Sequence, residues 1–333
     1  MTKLGIIGTT TWGTTLAIIS AREGRKSTLL ARSRNEAHLL IEDGENRRFV
    51  PGISFPEGVS ITDSPDQALF DADIVIFAVP SSTLRDNARQ VAPSINSRSV
   101  IISAVKGLET GTGKRMTQVL SEELASVGAA RICALSGPNL AGEIVQGKPS
   151  STVVASISKQ SCKKSQIALN SSHLRVYTNS DLIGVEIAGA LKNVTAIAVG
   201  ISDGLGYGDN AKASLITRGL AEISRLGSSL GAAKVTFSGL AGMGDLIATC
   251  SSSLSRNHRV GRMLAEGKTL DDIEKSMDNI AEGIGTTRAV ISMAERSGIH
   301  MPLAQSVHNV LFDGMSPKAA VATLMDRAPT SER

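Results

Sequence analysis

Aromatic residues make up only 3% of this 333-residue sequence, with one tryptophan, two tyrosines and six phenylalanines. Base-stacking platforms are therefore scarce, and nucleic acid is not an expected partner. Cysteine is scarce too: Cys133, Cys162 and Cys250 have neither metal-ligand spacing nor an even count. No metal site is expected, and a reduced, cytoplasmic protein is. Long apolar runs are missing as well. The longest, Ile187 to Ile201, is interrupted by Lys192 and Asn193 and is too short for a bilayer, so no membrane insertion is expected. A strand pattern starts almost directly after Met1, which leaves no room for a leader. Nor does one sign of charge dominate, since the formal balance is +4 and the basic residues are interleaved with acids. What is present is 41% hydrophobic residues, enough for two domains with sizeable cores. The small positive excess fits phosphate-bearing small ligands better than polymers.

The first half of the chain alternates strand and helix patterns, starting with Leu4-Gly5-Ile6-Ile7 and a helical stretch from Trp12 to Arg22. Ile74-Val75-Ile76-Phe77-Ala78-Val79 is apolar throughout, as a strand buried on both faces must be. This alternation predicts an α/β architecture: a Rossmann-type, doubly wound, mostly parallel sheet domain over residues 1–180. From about Asp181 the helical period takes over, predicting an all-helical C-terminal domain over residues 181–333 that carries substrate and catalysis. The glycine clusters Gly200–Gly208 and Gly239–Gly244 read as its loops.

Between the first strand and the first helix lies Gly8-Thr9-Thr10-Thr11-Trp12-Gly13. A dinucleotide-binding turn uses its first glycine for the bend, its second for close approach to the pyrophosphate and its third for helix–strand packing. Gly8 and Gly13 fill the outer roles, whereas Thr10 stands at the middle one. The expectation is that the Thr10 backbone shifts outward, or that its hydroxyl meets the pyrophosphate directly or through water. About 20 residues on, where an NAD site usually presents an acid, the second strand ends in Arg32-Ser33-Arg34, with no acid before Glu36. Two guanidiniums there suit a 2′-phosphate, which favours NADP(H) and leaves NAD(H) possible. The plainer alternative is a pair of solvated arginines at a strand end.

Several segments outside the turn carry polar groups that a core does not need. Lys106, before Gly107, and Gly137, before Pro138, follow strands and are expected on the carboxyl edge of the sheet. Lys192 interrupts an apolar helical stretch, so its ammonium either snorkels to solvent or is held in a pocket as a general acid and base. Ser255-Arg256-Asn257 offers a hydroxyl, a guanidinium and an amide as an oxyanion cradle. It reads equally as a polar loop with an N-cap serine. Asp245 reads as either an N-cap or a residue orienting a lysine.

The chain's motifs resemble, along essentially its whole length, the bacterial NAD(P)-dependent glycerol-3-phosphate dehydrogenases. They are Trp12-Gly13-Thr14, Val105-Lys106-Gly107-Leu108, Ser136-Gly137-Pro138, Gly189-Ala190-Leu191-Lys192-Asn193, Gly208-Asp209-Asn210-Ala211-Lys212-Ala213, Thr217-Arg218-Gly219-Leu220-Ala221-Glu222, Gly239-Leu240-Ala241-Gly242, Gly244-Asp245-Leu246, Ser255-Arg256-Asn257 and Glu282-Gly283. That resemblance implies interconversion of dihydroxyacetone phosphate and sn-glycerol 3-phosphate, supply of the product to phospholipid synthesis, and a homodimer. It implies that Lys192 accepts the proton in alcohol oxidation and that Lys106 contacts cofactor and substrate. It places Gly137, Asn139, Lys192, Asp245, Ser255, Arg256 and Asn257 around the substrate, with Arg256 shared with the cofactor. Thr11, Trp12, Arg32, Arg34, Ala141, Ile280 and Glu282 would touch NADPH, alongside Gly8. Thr10, Asn139 and Leu140 depart from the family's usual glycine, Ser or Thr, and aromatic residue, so retuned binding is expected. Two other readings stay open: a 3-hydroxyacyl-CoA or ketopantoate type reductase, and an NADP(H)-binding redox sensor without turnover.

Overall fold

In the computed structural model, residues 2–277, 281–329 and 331 are described. The chain divides into two compact units, one running to Glu109 and including Lys114–Glu186, the other made of Thr110–Gly113 and the residues from Ile187 onward.

The first unit is built on an eight-stranded sheet of order β3-β2-β1-β4-β5-β6-β7-β8. Its strands are β1 (Lys3–Ile7), β2 (Lys26–Leu30), β3 (Val59–Thr62), β4 (Ile74–Phe77), β5 (Val100–Ser103), β6 (Ile132–Ser136), β7 (Ser150–Ala155) and β8 (Leu174–Asn179). Every pairing is parallel except β6 with β7, so the first six strands all end on one edge. Register runs Leu4↔Ile74 to Ile7↔Phe77 at the centre. Alternate residues of β4 feed two separate cores: Ile74 and Ile76 join Leu4, Ile6 and Ile102, while Val75 and Phe77 join Ile7 and Ile101. A parallel sheet covered on both faces requires this continuous apolar run. The helices α1 (Thr11–Arg22) and α2 (Arg34–Asp43) follow β1 and β2.

Three strands escape a sequence reading for a common reason. β3 and β8 are the sheet's edges and are only half covered, and β7 opens on Ser150-Ser151-Thr152. Such strands lack the all-apolar signature of the centre.

The second unit is helical among its described residues. Its principal helices are α3 (Leu182–Gly204, which begins in the first unit), α4 (Gly208–Ser229), α5 (Asp245–Ser251), α6 (Arg256–Ala265) and α7 (Glu282–Arg296). The helix α3 is 23 residues long and, among the described residues, is the one helix apolar enough to cross a membrane; 89% of that stretch is buried. The apolar run is thus longer as a helix than it reads in the sequence, and its burial is what a core helix shows.

The expected loops also need correcting. Gly200 and Gly204 lie inside α3, and the turn is confined to Leu205-Gly206-Tyr207. A Cβ on Gly200 would lie 2.0 Å from the His258 carbonyl oxygen, and one on Gly261 would lie 2.1 Å from the Ile197 oxygen. These glycines serve a close crossing of α3 and α6. Likewise Leu240–Gly244 is a single π turn, not an open loop. The three cysteines are buried and unpaired, and no group of His, Cys, Asp and Glu among the described residues could hold a metal.

The crossing sets a stability test. Gly200→Ala forces the two helix backbones apart, so it should cost about 1–3 kcal/mol. Chemical denaturation should show a lower midpoint with an unchanged slope.

Candidate active site

One group of candidate residues lies on the carboxyl edge of the sheet, within the first unit. β1 runs into Gly8 at φ 104, a conformation open to glycine, and a Cβ there would meet the Ala78 oxygen at 2.7 Å. A Cβ on Gly13 would lie 2.1 Å from the Gly8 oxygen, so the turn and the first turn of α1 are pressed together. Thr10, by contrast, has φ −62 and ψ 168, which any residue adopts. Its hydroxyl donates to the Ala78 oxygen at 2.7 Å and accepts from the Gly13 N–H at 3.2 Å. The expectation that the Thr10 hydroxyl meets the pyrophosphate is not what these contacts show: the hydroxyl points inward, capping α1 and tying the turn to the end of β4. Thr11 and Trp12 open α1 half-buried, with Trp12 packed against the larger sheet core. The residues of this turn fit a dinucleotide, because bare backbone and helix N–H groups are what a pyrophosphate needs.

Arg32 and Arg34 both stand exposed at the end of β2 and the start of α2. An acid is close by after all. Glu36 lies one helical turn beyond Arg32 and folds back: its Oε1 accepts from the Thr9 hydroxyl at 2.9 Å and its Oε2 from the Arg32 N–H at 3.0 Å. The Arg32 Nε sits 3.5 Å from the same Oε2. Counting along the chain from the glycine turn reaches Glu36 only as the first acid past the arginines and does not show that its carboxylate returns from the helix. The i, i+4 spacing was the available signal.

Lys106 follows β5, and its Nζ donates to the Gly137 oxygen at 2.7 Å, so these two expected residues are brought together. Gly137, at φ 144, packs against β7, where a Cβ would come within 3.0 Å of the Thr152 Cα. Asn139 faces the same strand, with Oδ1 2.9 Å from the Thr152 hydroxyl. The amide that replaces a hydroxyl is thus anchored to β7. Ala141 begins the short helix Ala141–Val145.

A second group of candidate residues lies within the helical unit. Lys192 is 6% exposed, which rules out snorkelling. Its Nζ donates to Asp245 Oδ1 at 2.5 Å and to the Thr249 hydroxyl at 2.6 Å. Asp245 is 1% exposed and opens α5 just after the π turn, where Gly242 packs so close to Phe237 that a Cβ would lie 2.1 Å from the Phe237 oxygen. Thr249, one turn later in α5, donates to the Asp245 backbone oxygen at 2.6 Å. It was not visible as a site residue in the sequence; spacing from Asp245 could have found it.

Ser255, Arg256 and Asn257 do not form a single face. The Ser255 hydroxyl caps α6 by accepting from the His258 N–H at 3.3 Å. Asn257 is buried: its Nδ2 donates to Asn193 Oδ1 at 2.9 Å and its Oδ1 accepts from the Gly283 N–H at 2.9 Å. Arg256 alone is exposed, within the field of Glu282 at the start of α7. Successive helix residues point about 100° apart, which a reading of three adjacent polar residues overlooks. Ile280 falls outside the described residues. Beneath this helix start, His258 Nε2 lies 2.8 Å and Lys212 Nζ 2.9 Å from Asp203 Oδ2. Burial alone would raise the Asp203 pKa, but the hydrogen bonds from Lys212 and His258 outweigh it and hold the carboxyl below its ordinary value.

Comparison with known proteins agrees along the whole chain. Residues 3–162 match the family model described as NAD-dependent glycerol-3-phosphate dehydrogenase N-terminus, and residues 181–322 match the corresponding C-terminus. A glycerol-3-phosphate dehydrogenase (NAD(P)+) of Dehalococcoides mccartyi is 49% identical over 333 residues, covering 100% of this chain and 93% of the relative. One of Chlorobium limicola is 45% identical over 329 residues, covering 99% of each. Among solved structures, glycerol-3-phosphate dehydrogenase from Coxiella burnetii superposes with a TM-score of 0.92 at 35% identity, covering 98% of this chain and 99% of that one.

The turn carries its own test. Thr10→Val keeps the shape but removes the cap and the tie to Ala78, so stability should fall by about 1 kcal/mol. Thermal unfolding of the two proteins side by side checks it, and an unchanged transition would mean the hydroxyl contributes nothing to the turn.

Proposed function

This chain belongs to the NAD-dependent glycerol-3-phosphate dehydrogenase family, and from that premise we propose how its residues divide the work. The enzyme interconverts dihydroxyacetone phosphate and sn-glycerol 3-phosphate by hydride transfer with NADP(H) or NAD(H). Family membership removes the other reductase types, and an enzyme, not a sensor without turnover, is what its relatives are.

The observation that carries the mechanism is the buried Lys192 ammonium held between Asp245 and Thr249. The nicotinamide cofactor supplies the hydride for ketone reduction and takes it back in alcohol oxidation. As the ketone carbon gains hydride its oxygen becomes an alkoxide, and Lys192 Nζ gives that oxygen a proton; in oxidation it removes the proton again. Asp245 provides the counter-charge, and Thr249 fixes the direction of Nζ. Lys106, steadied by the Gly137 carbonyl, adds positive charge where negative charge develops. Arg256 at the start of α6, whose N-terminus is capped by Ser255, holds the substrate phosphate, and that remote grip keeps the ketone oriented. Asn257 acts by bracing Asn193 and Gly283 behind this helix start. Gly8, Thr11, Trp12, Ala141 and Glu282 are assigned to the nicotinamide cofactor. Arg32 and Arg34 flank the adenosine ribose and favour a 2′-phosphate, hence NADP(H) over NAD(H). A cytoplasmic homodimer that supplies glycerol 3-phosphate for phospholipid synthesis completes the proposal.

The test follows NADPH absorbance with dihydroxyacetone phosphate. Lys192→Ala should lower kcat by about 10²- to 10⁴-fold, the contribution of a positioned acid. A near-normal kcat would overturn the proton role of Lys192 while leaving the family assignment intact.

A further inference from the structure

Dinucleotide sites that choose NAD(H) place a carboxylate where it accepts from the ribose 2′-hydroxyl, and those that choose NADP(H) place a guanidinium against the 2′-phosphate. Here both groups occupy one spot. The Glu36 carboxylate bridges the residue after the first glycine of the turn, through the Thr9 hydroxyl, and a residue two beyond the end of β2, through the Arg32 N–H. It is not a floating surface acid. Its side chain is 18% exposed, against 74% for Arg32. Thr9 is itself pinned, because Asn46, 2% exposed, donates to the Thr9 oxygen and to the Thr14 hydroxyl, both at 2.8 Å.

We propose that Glu36 is a specificity-determining residue that holds the enzyme between the two nucleotides, opposing the preference for NADP(H) that Arg32 creates. The inference rests on the assignment of Arg32 to the 2′-phosphate. Two effects act together. A 2′-phosphate brought to Arg32 must share the guanidinium with Glu36 and bear repulsion from its carboxylate. A free 2′-hydroxyl pays no such cost and can donate to that carboxylate. Glu36 therefore weakens NADPH and favours NADH, so that both remain usable. Its position explains why the carboxylate is tied to the turn and not only to the arginine: a fixed charge discriminates, whereas a mobile one would swing away from the phosphate.

The experiment measures Kd for NADPH and for NADH by nucleotide fluorescence on the purified full-length protein, for the unaltered chain and for Glu36→Gln, Glu36→Asp and Arg32→Gln. Glu36→Gln removes the charge at constant shape and should raise the ratio of the NADH Kd to the NADPH Kd about tenfold, the size of a modest charge interaction. Glu36→Asp withdraws the carboxylate by one methylene and should raise the same ratio about threefold. This milder variant decides the matter if the glutamine form does not fold. A ratio that falls, or one that stays constant because both nucleotides are weakened alike, overturns the proposal and leaves Glu36 as a brace of the turn. Arg32→Gln separates the two readings. If the ratio does not fall there, the Arg32 assignment fails; if it falls there but stays constant in the Glu36 variants, only the Glu36 proposal fails.

Discussion

A Cβ on Gly13 would lie 2.1 Å from the Gly8 oxygen, one on Gly242 2.1 Å from the Phe237 oxygen, and one on Gly261 2.1 Å from the Ile197 oxygen. Backbone-to-backbone contact without room for a methyl group is the constraint on which the functional groups depend. Gly13 on Gly8 fixes the start of α1 against the glycine turn. Gly242 on Phe237 shapes the π turn that delivers Asp245 to α5. Gly261 and Gly200 press α6 onto α3, which fixes Arg256 at the helix start. Gly283, whose Cβ would lie 2.9 Å from the Asn193 backbone oxygen, sets the start of α7. Each close approach turns a flexible residue type into a rigid fixture, because the interdigitated backbones cannot slide without a clash.

The second requirement is polar satisfaction inside an apolar helical unit. An ammonium 6% exposed costs several kcal/mol in desolvation unless a counter-charge and further hydrogen bonds meet it. Asp245 and Thr249 meet it for Lys192. Asn193, Asn257 and the Gly283 N–H form a second satisfied set, and Asp203, Lys212 and His258 a third. These sets join α3 to α4, α5, α6 and α7. The groups proposed to carry chemistry therefore also specify how the helices are arranged.

The phosphate turn, the central strands and the lysines could be read in the sequence because their signals are local. Gly8 and Gly13 stand at fixed spacing, β4 is apolar at every residue, and Lys192 breaks an apolar helix that has no other use for a charge. The edge strands β3 and β8 could not, since a strand covered on one side carries only half the pattern. The contacts of Glu36 and Thr249 could not be read either, although each lies four residues from a candidate residue, Arg32 and Asp245; each reaches its partners from within a helix, not along the chain.

The sequence by itself determined the alternation that makes a doubly wound sheet, the change to helices after Asp181, and which charged residues stand in or beside apolar segments. These follow from periodicity and residue type, which need no partner. Only the tertiary structure decided where those groups point. It turned the Thr10 hydroxyl inward to Ala78, buried Asn257 while leaving Arg256 exposed, put Gly200 inside a helix, and closed Asp245 onto Lys192 across 53 residues of chain. Direction and pairing at that range depend on which backbones can approach, and that is settled by packing between elements distant in sequence.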